Sequence, residues 1–205
     1  MASSTIMASV KHNEPLVKIP DDDGGGFSVS PIVNTREYHE AFERMPLPST
    51  ISNAAYEQAG RILQKTTGKN EEYLVAIDAK TGELVADNLS REGKAGSSTF
   101  EGAELDALNL HRGTVITIHN HPHSLPPSFN DVITASQNRM IAGSIILGHD
   151  GSVWYIACAS TKAASVLKRA YNALKDAHGE KAEVIALSNM VKRSKKEGLT
   201  WMQLR

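Results

Sequence analysis

The run TVITIHNHPHSLPPSFND, residues 114–131, constrains the fold more tightly than any other part of the chain. It begins with a β-branched apolar stretch directly after Gly113, the pattern of a strand. Alternate residues of a strand share a face, so His119 and His121 point the same way. Pro122 ends hydrogen-bonded pairing and turns the chain. Pro126 and Pro127 stiffen the loop, and Ser128 opens a helix as its N-cap, which puts Asp131 in the first turn. A carboxylate is favoured there by the helix dipole and can face back toward the strand end. Strand, loop and helix thus bring two imidazoles and a carboxylate toward one point. Zinc hydrolases use such mixed N/O sets and leave the fourth position to water. The same set also suits ferrous iron. HxH alone is common, and SxxD alone is the ordinary look of a helix start; their succession carries the reading.

Hydrolysis at such a centre needs a base to take a proton from water and a donor for the oxyanion that forms. The base is a carboxylate near the metal but not bound to it. Glu71 and Glu72, at the mouth of the strand YLVAID, are the candidates, and Ser128 is a candidate oxyanion donor. His123 reads as a loop histidine, and His12, His39, His111, His149 and His178 carry no assignment.

This succession resembles the signature of the JAB/MPN (JAMM) metalloprotease family: an upstream Glu, HxHP, a short loop, then SxxD. His119, His121, Ser128 and Asp131 occupy the signature positions. The HNHP wording is similar to the bacterial and phage branches, including RadC-like proteins. The spacer of six residues, 122–127, is shorter than is usual for RadC-like proteins. It looks more like the JAB-type domains of phage head proteins and of bacterial toxin-like or conjugation-associated proteins. Those tend to carry a Glu six residues before the Asp of a D-x-x-G hairpin. Glu72 and Asp78 have that spacing, so the resemblance favours Glu72 as base over Glu71. One departure is His123–Ser124 where the family usually has Ser-Gly; His123 there would crowd the groove or add a ligand.

The resemblance covers roughly residues 52–160. It implies an α/β, three-layer, cytidine-deaminase-like domain with a curved mixed sheet flanked by helices. It implies zinc (Zn2+) held by His119, His121 and Asp131, water activated by Glu72, and an oxyanion steadied by Ser128. The implied substrate is a protein or peptide cut at a peptide or isopeptide bond. Relatives of known activity often cut isopeptide bonds to the C-terminus of ubiquitin or a ubiquitin-like protein. The competing readings are a non-catalytic JAB-fold module that binds a partner through the tail LTWMQLR, and a nucleic-acid role by analogy with the RadC-like branch.

The remaining sequence sets the frame. A chain of 205 residues suffices for one domain with a sizeable core plus tails. Lys+Arg of 22 against Asp+Glu of 23 gives no electrostatic reason to expect nucleic acid or an anionic membrane as main partner. A lone cysteine, Cys158, excludes an internal disulfide and fits a reducing compartment. The first residues lack the apolar core of a secretion signal, and no apolar run has membrane-spanning length, so a cytoplasmic protein is expected.

Residues 1–50 read as an N-terminal extension with local order at most. They hold the acid and glycine run PDDDGGG, four of the eight prolines lie from Pro15 to Pro46, and GFSVSPIVN could add one strand. The catalytic-type domain is expected over 51–178. Its elements read as a helix from Ser49, a hairpin about Lys80–Thr81–Gly82, a short helix before Gly113, the histidine strand, the helix capped by Ser128, a hairpin about His149–Asp150–Gly151 and an amphipathic helix opened by Ser160 or Thr161. Residues 179–205 read as a C-terminal amphipathic helix with a solvated basic face, KRSKKEG.

Overall fold

A computed structural model describes residues 15–19 and 27–205. The run PDDDGGG, expected to be flexible, lies outside the described residues. The elements in chain order are α1 (Arg36–Glu43), α2 (Ser49–Thr66), β1 (Leu74–Asp78), β2 (Leu84–Asp87), α3 (Ala103–Leu110), β3 (Val115–His121), α4 (Phe129–Gln137), β4 (Ile141–Gly148), β5 (Val153–Cys158), α5 (Lys162–His178), α6 (Ala182–Val191) and β6 (Leu199–Gln203). The strands form one open six-stranded sheet in the order β2-β1-β3-β4-β5-β6. β3 and β4 run parallel, and the other neighbours are antiparallel. The fold is α/β, a mixed sheet with helices on both faces.

Side-chain parity sorts the sheet into two apolar layers. Val75, Ile77, Ile116, Ile118, Ile145 and Leu147 pack with Ile51, Ala55, Ile62 and Leu63 of α2. On the other face Ile146, Trp154 and Ile156 pack with Val132 of α4, Leu167 of α5 and Met190 of α6. β3 is buried along its whole length, as befits a strand covered on both faces. Among the described residues, no helix is long and apolar enough to cross a membrane.

The N-terminal expectation needs correction. Residues 27–50 are part of the domain, because Val29, Val33, Tyr38, Ala41, Phe42 and Met45 are buried in the same core as α2. The Thr35 side chain caps α1, and the rings of Phe42 and Tyr56 meet edge-on at 5.5 Å. Val17 is buried there too, and its main chain exchanges two hydrogen bonds with the Asn34 amide. In GFSVSPIVN, the described residues 27–34 form no strand; they turn into a short 3-10 helix at Pro31–Asn34. Pro31 opens that 3-10 helix and Pro48 stands at the N-cap of α2.

The tail also departs from a continuous helix. α6 ends at Val191, KRSKKEG closes in a 3-10 turn at Ser194–Glu197, and Gly198 takes a left-handed φ of 70°. LTWMQ then adds to the sheet as β6, pairing antiparallel with β5 from Trp154↔Gln203 to Cys158↔Leu199. A left-handed glycine stops a helix, and the β-prone residues after it satisfy the open edge of β5.

Candidate metal centre

The histidine strand, its loop and α4 assemble as their residue types dictate. β3 places His119 and His121 on the α4 face and Asn120 on the α2 face. Ser128 accepts a hydrogen bond from Asp131 N at 3.1 Å, while Ser128 N donates to Asp131 Oδ2 at 2.6 Å. This reciprocal capping box pins the Asp131 carboxylate at the helix start. Asp131 Oδ1 lies 3.2 Å from His119 Nε2, and Oδ2 lies 3.5 Å from His121 Nε2. The two Nε2 atoms are 3.2 Å apart. Each residue thus offers a ligand atom, all within 4.8 Å of one another.

Their electrostatics form one coupled unit. Burial works to raise the Asp131 carboxyl, yet the facing His119 and His121 rings and the Ser128 N–H hold it far below the usual carboxylate range. Burial works to lower His119, but Asp131 and Glu72 outweigh it, and the ring is shifted up. His121 is shifted down, by burial first and by His119 beside it. His121 Nδ1 is 2.8 Å from the carbonyl of Leu125, to which it donates; Nε2 is then the lone-pair nitrogen that faces the centre.

Glu72 lies on the triad's side of the sheet, and the carboxylate of Glu71 is engaged elsewhere. Leu74 pairs with His119 across the antiparallel β1–β3 ladder. Continuing that register sets Glu72 opposite His121, on the same face of the sheet. Burial pushes its carboxyl up to about 7, with His119 opposing and Asp131 adding to the shift. The Glu71 carboxylate instead accepts from Tyr73 OH at 2.7 Å. Ser128 sits exposed at the rim; its oxygen takes the Asp131 N–H and keeps the hydroxyl hydrogen for another acceptor.

His123 does not join the three donors; its ring stands edge-on against Phe27 at 5.0 Å. Ser124, at the position where the resemblance leads one to expect Gly, adopts φ 55°, and its hydroxyl accepts from Asp150 N at 2.9 Å. The left-handed backbone accounts for a glycine preference at that position, and the bond to the β4–β5 turn offsets the strain here. Of the unassigned histidines, His149 lies near the centre, buried and bonded to Asn120. Sequence reasoning passed over both Asn120 and His149. The available signal was the asparagine itself, a polar residue forced by strand parity into an apolar layer, where it needs partners.

The donor set fits a divalent metal ion. Two imidazole nitrogens and a carboxylate converge in a buried place, and the far nitrogen of His121 is fixed by a carbonyl, as metal-binding histidines require. Compared with known proteins, the chain matches no family model, no curated protein and no solved structure.

Proposed function

We propose that this chain is a zinc-dependent hydrolase of peptide or isopeptide bonds, built on a JAB/MPN-like domain. The observation that carries the reading is the convergence of His119, His121 and Asp131 beside a Glu72 carboxyl held at about 7. A general base is most effective when its pKa lies near the working pH. Zinc, when bound, supplies the Lewis acid that acidifies water and polarises the scissile carbonyl. Glu72 takes the proton from the attacking water and returns it to the leaving amine, so it ends the cycle as it began. The Ser128 hydroxyl donates to the carbonyl oxygen as that atom gains charge. Asp131 and the two histidines would hold the ion as three protein ligands, the number hydrolytic zinc sites use. Zinc is preferred to iron because a base in this position serves hydrolysis and no oxidant is called for.

The order of elements supports the JAB/MPN-like reading. Glu72 enters on the strand antiparallel to the histidine strand, and SxxD opens the helix that follows it. A protein or peptide substrate follows from that reading, ubiquitin-like conjugates being one class of it. The non-catalytic alternative, docking through LTWMQLR, has less support, since residues 199–203 are occupied as β6. The test is Glu72→Gln, assayed on zinc-loaded protein with fluorogenic peptides and a ubiquitin–lysine isopeptide. Cleavage falling by about a hundredfold or more with zinc retained is expected; full activity in Glu72→Gln contradicts the mechanism.

A further inference from the structure

Glu72 stands two residues before β1 begins, outside the regular ladder, yet its backbone is held on both sides by one side chain. Tyr73 N donates to Asn120 Oδ1 at 2.9 Å, and Asn120 Nδ2 donates to Glu71 O at 2.9 Å. The second amide hydrogen points at His149 Nε2, 3.1 Å away. His149 Nδ1 in turn donates to Phe27 O at 2.7 Å, which leaves Nε2 as an acceptor. Every donor and acceptor of the Asn120 amide is thereby engaged, and its orientation is fixed: flipped, it would set NH2 against the Tyr73 N–H and oxygen against the Glu71 carbonyl. Asn120 itself is fully buried. Glu72 N completes the enclosure by donating to Lys94 O at 3.0 Å.

We propose that Asn120, oriented by His149, is the positioning residue that aims the Glu72 carboxylate at the metal centre. This rests on the proposed function. Adjacent residues of one strand thus divide the work. His119 and His121 present ligands on one face, and Asn120 on the other face fixes the neighbouring strand that carries the base. A purely structural amide would change stability and leave Glu72's interactions intact; a positioning amide is energetically coupled to Glu72.

The experiment is a double-mutant cycle read with acetohydroxamic acid on the zinc-loaded full chain. This ligand gives up a proton on binding a metal, and a carboxylate beside the metal receives it. Glu72→Gln is expected to weaken acetohydroxamate about tenfold. Asn120→Ala should weaken it by about as much, the double variant no further, and zinc affinity should stay within about threefold of wild type, short of the loss seen when a ligand's own support is removed. His149→Ala, which removes the bond that orients the amide together with the bond to Phe27 O but leaves both bonds from Asn120 to the Glu72 backbone, should give a smaller loss of the same kind, and it carries the cycle if Asn120→Ala does not fold. Additive losses, or wild-type acetohydroxamate affinity in Asn120→Ala or in a folded His149→Ala that stands in for it, overturn this inference alone. Indifference of zinc-loaded protein to Glu72→Gln overturns the base assignment and the inference with it. Wild type without zinc overturns both this and the proposed function.

Discussion

At the scale of single residues, a half-buried carboxylic acid beside a buried acid–imidazole cluster decides the character of the centre. The Glu72 carboxyl binds its proton more tightly folded than unfolded, with its pKa moved from an ordinary 4.5 to about 7. A group raised in this way stabilises the fold below its unfolded value, and that contribution is lost as pH rises through the folded one. Metal-free wild type should therefore lose stability relative to Glu72→Gln between about pH 4.5 and about 7, with equal melting temperatures at the acid end and the variant ahead at the neutral end. Thermal melts of both proteins across that range check it, and a difference independent of pH would contradict a proton-holding Glu72. The choice between Glu71 and Glu72 was open to residue-by-residue reading. Strand register settles which face each one occupies, and Tyr73 OH engages the Glu71 carboxylate. Register is a long-range property, because it depends on how residues 74 and 119 pair across the β1–β3 ladder, and local sequence does not carry it.

At the scale of elements, the chain was most legible where periodicity and caps agree. α2, the hairpin of β1 and β2, β3, α4, the hairpin of β4 and β5, and α5 all lie where apolar spacing and turn residues put them. It was least legible where short elements depend on tertiary burial. α1 is eight residues long and gains its stability by placing Tyr38 and Phe42 against α2. β6 needs the free edge of β5, which no local pattern announces. α4 shows how an ordinary structural device doubles as part of a site, since one capping box both starts the helix and aims Asp131. Ser128→Ala should lower the stability of metal-free protein by about 1 kcal/mol in urea unfolding, the usual cost of a lost N-cap. Zinc should still bind, because the main-chain N–H at position 128 continues to hold Asp131 Oδ2. Unchanged stability would mean that the cap does not anchor α4.

At the scale of the whole molecule, the candidate centre sits where the sheet changes direction. β3 and β4 are the parallel pair, and the histidines occupy the carboxyl end of β3, beside the entry of antiparallel β1. Open α/β sheets place their ligands outside the carboxyl ends of strands, where neighbouring connections diverge and leave a crevice. The N-terminal segment contributes to the same end, since Phe27 meets both His123 and His149. The ligand set itself was legible because all three donors fall within thirteen residues joined by one strand, one loop and one cap. Their support was not, because it comes from Tyr73, His149 and Phe27, remote in sequence. The most direct measurement is the metal content of the purified full chain by elemental analysis, beside His119→Ala/His121→Ala. The account predicts about one zinc per chain in wild type and none in the double variant. No stoichiometric zinc in wild type, even after zinc is added back, or zinc retained by the double variant, would contradict it.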